Sequence, residues 1–154
     1  MTGPVNFFGN KHLFSNFAPT PVVIDGLEYA TTEHYFQAMK FAKNDPKYAE
    51  EVRKSPTPGG AKKLGKSRQH PIDEDWNDQR DDVMRVALLN KALQNPQFVK
   101  DLLASGDREI IEASPWDYYW GTGAKKTGKN MLGKLLVELR TKLKRCASTM
   151  YISD

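Results

Sequence analysis

Three of the chain's capping-residue–proline dipeptides lead into helical patterns: Asp45-Pro46, Thr57-Pro58 and Asn95-Pro96. This is the pattern of a helix start. The cap accepts an otherwise orphaned amide hydrogen bond, and proline at the first helical position loses no donor that the helix needs. The middle of the chain is therefore a succession of short helices. The first runs from Asp45-Pro46 to about Lys54, and the Thr57-Pro58 signal starts a second. The third carries Phe98, Val99, Leu102 and Leu103 inward and stops at Ser105-Gly106. Between them lies the strongest helical pattern, from about Glu74 to Leu93, with Trp76, Arg80, Val83, Met84, Ala87, Leu88 and Lys91 at helical spacing.

Two more helices flank this block. Thr31 or Thr32 caps a stretch from Glu33 to Lys43, with Glu33 in the first turn where a negative charge suits the helix dipole. The last runs from about Asn130 to Lys144, with Met131, Leu132, Leu135, Leu136, Leu139 and Leu143 as its apolar stripe. Strand signals are few. Val22-Val23-Ile24 and Leu27-Glu28-Tyr29 surround Asp25-Gly26, a dipeptide suited to a type I′ hairpin. Glu109 to Ala113 is short and strand-like, and the aromatic-rich stretch from Asn6 to Phe17 reads as irregular. The expectation is a helix-rich α+β fold with one small sheet or hairpin. A single domain spans 1–154, with a motif core of about 6–143 and a C-terminal tail from 145. Ser55–Gly60 is the only hinge-like stretch, and it is too short to separate two domains.

At 154 residues the chain buries roughly 68–70% of its unfolded surface and needs no covalent staple. A single cysteine, Cys146, excludes an internal disulfide scaffold and a zinc finger. His12, His34 and His70 are too scattered for a metal signature, so no metal and no cofactor are expected. No apolar run approaches a membrane span, and the Met1-Thr2-Gly3 start lacks an apolar signal region. The expectation is a soluble intracellular protein without a membrane partner, placed in the cytoplasm with the nucleus left open. Oligomeric state has no sequence signal. The net charge of +4 is unevenly placed. Residues 1–119 hold 15 basic and 17 acidic side chains, a balance of −2, whereas 120–146 hold eight basic and one acidic, a balance of +7. Such asymmetry points to an anionic partner or, more plainly, to a solvated helix face.

Three segments carry more polar chemistry than a core requires. In Thr31-Thr32-Glu33-His34-Tyr35-Phe36-Gln37-Ala38-Met39-Lys40-Phe41, the spacing of Glu33, Gln37 and Lys40 puts them on one helical face. The acid and the amine stand about 10 Å apart along the axis, enough to bracket a small ligand. The bland alternative is a surface stripe. Ser114-Pro115-Trp116-Asp117-Tyr118-Tyr119-Trp120-Gly121 gathers four aromatics around a carboxylate, which suits stacking on a planar base. Its alternative is a core plug in which Asp117 caps a turn. Gly121-Thr122-Gly123-Ala124-Lys125-Lys126-Thr127-Gly128-Lys129-Asn130 runs into the last helix and is suited to hold a phosphate on backbone amides. It is not a P-loop, since Asn130 replaces the required hydroxyl and no strand directly precedes it. Asn130 also serves as a plain helix cap.

Together these segments resemble the NADAR, or YbiA-like, family, named for its association with NAD and ADP-ribose. The matching residues are Phe7-Phe8, Phe14-Ser15-Asn16-Phe17, the run Thr31 to Phe41, Gly65-Lys66 with Arg68, Pro71-Ile72 and Asp75-Trp76. They continue through Val83-Met84, Ala87-Leu88, Ser114-Pro115, Asp117, Trp120-Gly121, Gly123, Gly128, Asn130-Met131-Leu132-Gly133 and Arg140. The stretch between Ser55 and Gly65 departs from the family, being rich in Pro, Gly and Lys, and no functional residue is placed there.

The resemblance implies an N-glycosidase of compact helix-rich α+β fold that splits a ribose C1–nitrogen bond without a metal or redox cofactor. Its substrate classes are ADP-ribose on guanine, in nucleic acid or nucleotides, and phosphoribosylamino-pyrimidine intermediates of riboflavin synthesis. The +7 segment favours the former. On this scheme Glu33 stabilises oxocarbenium character or moves a proton, Lys40 traps C1 as a Schiff base, and Asp117 contacts the base or its leaving nitrogen. Trp116 and Trp120, with Phe7 and Phe17, wall the base. Gly121, Gly123, Gly128, Asn130 and Arg68 or Lys129 hold phosphate, and Ser15, Asn16 and Gln37 complete the binding set. Lys40 then needs a depressed pKa, from burial or cationic neighbours. Simple hydrolysis with Glu33 activating water is the alternative enzyme. A non-catalytic reader of ADP-ribose or single-stranded nucleic acid is the alternative class.

Overall fold

The computed structural model describes residues 3–152, and side chains through 148. Met1, Thr2, Ser153 and Asp154 lie outside the described residues, and with them the extreme N-terminus and the end of the expected tail. The order of elements is β1 (Val5–Phe7), β2 (Val22–Ile24), β3 (Leu27–Tyr29), α1 (Thr32–Met39), α2 (Pro46–Arg53), α3 (Pro58–Gly65), α4 (Trp76–Gln94), α5 (Pro96–Ala104), β4 (Ile110–Glu112) and α6 (Met131–Ile152). The helix-rich α+β expectation holds. The strands form two two-stranded sheets rather than one: β2 with β3 antiparallel, and β1 with β4 parallel.

Asp45-Pro46, Thr57-Pro58 and Asn95-Pro96 each start a helix. The side chains of Asp45, Thr57 and Asn95 accept from the amides of Tyr48, Gly60 and Phe98. The hairpin turns at Asp25 and Gly26 with φ of 52° and 79°, the paired left-handed residues of a type I′ turn. Ser55–Gly60 is no hinge, since it supplies the cap and first turn of α3.

The chain divides into two compact units, one of residues 16–94 and the other of 1–15 with 95–154. In the 16–94 unit the hairpin, α1, α2 and α3 enclose Val22, Tyr35, Phe41, Tyr48 and Val52. The α1 helix ends at Met39, short of the expected Lys43. Both carboxylate oxygens of buried Asp73 accept from the Lys43 amide at 3.1 Å, and one accepts from Asn44 N at 2.8 Å. The Asp73 amide donates to Lys40 O at 2.7 Å. These bonds supply other partners to backbone groups around the helix end, and the helix stops.

In the other unit, Phe14 packs edge-on against Phe7 and Phe98, while α6 buries Leu132, Leu135, Leu136 and Leu139. That helix continues past Lys144 to Ile152, so much of the expected tail is helical. Two members of the basic segment are spent internally. Buried Arg140 donates to Ser105 Oγ and Arg108 O, both at 2.8 Å, and Lys144 donates to Gly106 O at 2.7 Å. Among the described residues no helix is long and apolar enough to cross a membrane.

Candidate active site

Thr31 caps α1 with its side chain, which accepts from the His34 amide. Asn16 then holds the first turn from the side: its carbonyl accepts from Glu33 N at 3.1 Å, and its Oδ1 accepts from Thr32 Oγ1 at 2.8 Å. Its amide nitrogen faces Met84 Sδ at 3.4 Å. Asn16 is thus a buried clamp on the helix start. His34 is fully buried, between Thr31 Oγ1 at 2.8 Å and Ser55 O at 2.9 Å. The Ser55 carbonyl needs a donor, so Nε2 carries the proton and Nδ1 accepts from the threonine hydroxyl. Burial lowers the His34 pKa, and the Ser55 bond opposes that shift. His34 is a structural strut.

Along the same helix, Glu33 and Gln37 are 8% and 4% exposed, so this face is no solvated stripe. Gln37 Nε2 donates to Glu33 Oε2 at 2.8 Å, which fixes the direction of the carboxylate. The buried Gln37 Oε1 has no hydrogen-bond partner among the described residues. Lys40, half-buried at the end of α1, points its ammonium at Gly65 O, 3.5 Å away, and over the Phe36 ring at 5.9 Å. Phe36 is itself pinned edge-on by Trp76 at 5.1 Å. Burial lowers the Lys40 pKa, Glu33 opposes this, and the charges of Lys66 and Lys62 add to the lowering. The acid and the amine are therefore brought into electrostatic contact, with the amide of Gln37 orienting the acid.

The end of α3 forms the other side of this group. Tyr48 Oη donates to Leu64 O at 2.6 Å, fixing the peptide before Gly65. Lys62 lies in the stretch where no functional residue was expected, yet it acts on Lys40 and sits 5.9 Å from the centroid of half-buried Phe17. Arg68 is exposed, two positions beyond Lys66. The signal that would have found Lys62 and Lys66 is their i, i+4 spacing on a helix.

The remaining candidates belong to the other unit. Phe7 is 3% exposed and packs on His12 and Phe14, so it is core rather than an open wall. Ser15 is buried, its amide donating to His12 O at 3.0 Å. Trp116 is 79% exposed beside the less open Phe8, with ring centroids 5.8 Å apart. Half-buried Trp120 meets Tyr119 edge-on, and Lys129 lies over the Tyr119 ring at 5.6 Å. Asp117 caps its turn, Oδ1 accepting from Tyr119 N at 2.9 Å and Trp120 N at 2.8 Å.

The glycine loop does not present the expected amide cradle. The amides of Thr122, Gly123, Ala124, Lys126, Gly128, Lys129 and Asn130 all donate to protein carbonyls, and that of Lys125 donates to Tyr118 Oη. At the start of α6 the amides of Met131 and Leu132 donate to Tyr119 O and Trp120 O. The glycines allow close packing instead. A β-carbon at Gly121 would lie 2.9 Å from Glu112 O, at Gly128 it would meet Gly121 O, and at Gly123 the Tyr118 ring. Asn130, with φ 52°, neither cradles phosphate nor caps its helix with its side chain. It pairs with β4 like a strand, accepting from Glu112 N and donating to Ile110 O, both at 2.9 Å.

Comparison with known proteins places this geometry in context. The model of the NADAR domain matches residues 6–144. The chain is 43% identical over 130 residues to "N-glycosidase YbiA" of Escherichia coli (strain K12), covering 84% of this chain and 80% of that one. The NMR structure of the same E. coli protein superposes with a TM-score of 0.83 at 39% identity, over 94% of this chain and 87% of the other. "N-glycosidase Npun_R5314" of Nostoc punctiforme is 37% identical over 142 residues, 92% of this chain and 91% of that one. "Riboflavin biosynthesis protein VVA0006" of Vibrio vulnificus is 35% identical over 150 residues, 96% of this chain but 40% of that longer protein.

Proposed function

The chain belongs to the NADAR domain family, and from that premise we propose that it is an N-glycosidase cleaving the ribose C1–N bond of a ribosylated nucleobase. Its preferred substrate is ADP-ribose on guanine, in nucleic acid or nucleotides. The observation that carries this reading is the buried Glu33–Gln37 pair beside Lys40, whose amine is held below the ordinary lysine range by burial. A module that only reads nucleic acid has no use for a desolvated amine next to an oriented acid.

The chemistry follows from those groups. An N-ribosyl linkage opens to an imine at C1 as the ring oxygen takes the proton of the linking N–H. The neutral Lys40 amine adds to C1, forming a C–N bond. The base nitrogen leaves with its electron pair after taking both protons of the Lys40 amine, which Glu33 relays in turn. Water adds to the resulting Lys40 imine, Glu33 passes both of its protons to the lysine nitrogen, and the amine departs from C1, releasing the sugar as its aldehyde. Depression of the Lys40 pKa raises the neutral fraction that starts this sequence.

The name of the Vibrio vulnificus relative supports a second substrate, a phosphoribosylamino-pyrimidine, processed by the same steps. Side-by-side turnover of the two substrates by catalytic amounts of protein decides between them. Multiple turnovers of either, lost in Glu33→Gln and Lys40→Ala, support the enzyme. Stoichiometric binding without release removes it.

A further inference from the structure

With most amides of the glycine loop already bonded within the protein, the phosphate of such a substrate needs another anchor. We propose that Lys62 and Lys66, one turn apart at the end of α3 beside Lys40, form the subsite for the phosphate carried on the substrate ribose, with Phe17 holding Lys62 in place. This deepens the N-glycosidase reading and rests on it.

Four observations converge. Gly65, between the two lysines in sequence, offers its carbonyl to Lys40 Nζ at 3.5 Å, so the end of α3 abuts the reacting amine. Half-buried Lys62 lies over the Phe17 ring at 5.9 Å, its stem packed rather than free in solvent. Neither Lys62 nor Lys66 forms an ion pair among the described residues. Both charges are felt at Lys40, against the single carboxylate of Glu33. The charges of Lys62 and Lys66, one turn apart, repel that of half-buried Lys40, and a phosphate dianion offsets that repulsion. Lysines in the last turn of a helix also suit its dipole, which accounts for neighbouring Lys63. Lys63 is exposed and is not among the charges acting on Lys40, so it serves as the control.

The subsite is chemically shared by a ribose 5′-phosphate and by the pyrophosphate of ADP-ribose, and parallel assays with each identify which it takes. KM and kcat are measured at low salt for wild type, Lys62→Ala, Lys66→Ala, the double variant and Lys63→Ala. Each substrate is paired with its counterpart lacking the phosphate. The expected result is a KM increase of about tenfold per lysine removed, confined to phosphate-bearing substrates and absent in Lys63→Ala. The acid limb of the pH profile should also move to higher pH in both single variants, because each lost charge had been lowering Lys40. Equal KM changes with and without the phosphate, or no change, overturn the subsite. If wild type turns over neither substrate, the N-glycosidase reading fails on its own. Calorimetric titration with inorganic pyrophosphate then judges the subsite: binding lost in the double variant supports it, and equal binding overturns it.

Discussion

Gly65 and Gln37 meet across the space that a side chain would fill. A β-carbon built on Gly65 would overlap Gln37 Oε1 and lie 2.8 Å from its Cδ and 3.3 Å from its Cβ. Gln37 in turn donates to Glu33, and the Gly65 carbonyl faces Lys40. One missing methyl group therefore bears on both the acid and the amine.

Gly65→Ala is expected to swing the Gln37 amide aside, since the end of a flexible side chain yields more easily than backbone. That breaks the charge-assisted bond to Glu33, worth about 1.5–3 kcal/mol. Turnover should fall about tenfold to a hundredfold, and the unfolding midpoint should fall with the lost bond. Steady-state kinetics and a denaturant curve check both halves, and unchanged turnover would falsify the link.

Lys40 works as a nucleophile only when neutral, and its pKa is lowered chiefly by burial. Activity should therefore rise with pH through a value below the ordinary lysine range, about 10.4. Lys40→Arg keeps a cation but cannot form an imine, so it should be inactive at every pH. Borohydride trapping followed by mass spectrometry should locate the substrate adduct at Lys40 alone. An active Lys40→Arg enzyme would reduce Lys40 to a binding role.

Lys91 is fully buried in α4, and desolvation lowers its pKa to about 7. The unfolded chain binds this proton up to about pH 10.4, so the unfolded state holds more protons between the two values. Stability should rise with pH across about 7 to 10 and carry the full penalty below 7. Tyr35 has its pKa raised to about 12 by burial and sets the opposite slope above about pH 10. Lys91→Met should reduce the lower slope, leaving the smaller rise that the lowered pKa of Lys40 contributes, and keep the upper one. Unfolding midpoints measured from pH 6 to 11 test this, and a lower slope as steep in the variant as in wild type rules it out.

Asn130 joins the start of α6 to β4 through two side-chain hydrogen bonds made at φ 52°. Asn130→Gly keeps access to that backbone conformation and loses both bonds, for a cost of about 1–3 kcal/mol. Asn130→Ala adds the left-handed strain of about 1–2 kcal/mol. Denaturation should therefore rank wild type above Asn130→Gly above Asn130→Ala. Equal midpoints for the first two would assign the residue's role to its backbone alone.

By itself the sequence determined what depends on neighbours a few residues away. Asp45, Thr57 and Asn95 cap their helices because the amide each one bonds lies three positions on. Asp25-Gly26 turns the hairpin because its left-handed pair suits the strand twist. Glu33, Gln37 and Lys40 share a face because the helix repeats every 3.6 residues. Tertiary structure decided everything that required a distant partner. The parallel pairing of Val5–Phe7 with Ile110–Glu112 joins the strand legible at Glu109 to Ala113 to one in a stretch that read as irregular. Asp73, in the segment between α3 and α4, ends α1 early, and most amides of the glycine loop go to carbonyls within it and in the segment before it. Lys62 reaches the site only because α3 packs on α1. A residue type and its spacing fix which bonds are possible, but only the folded chain shows which acceptor each donor meets.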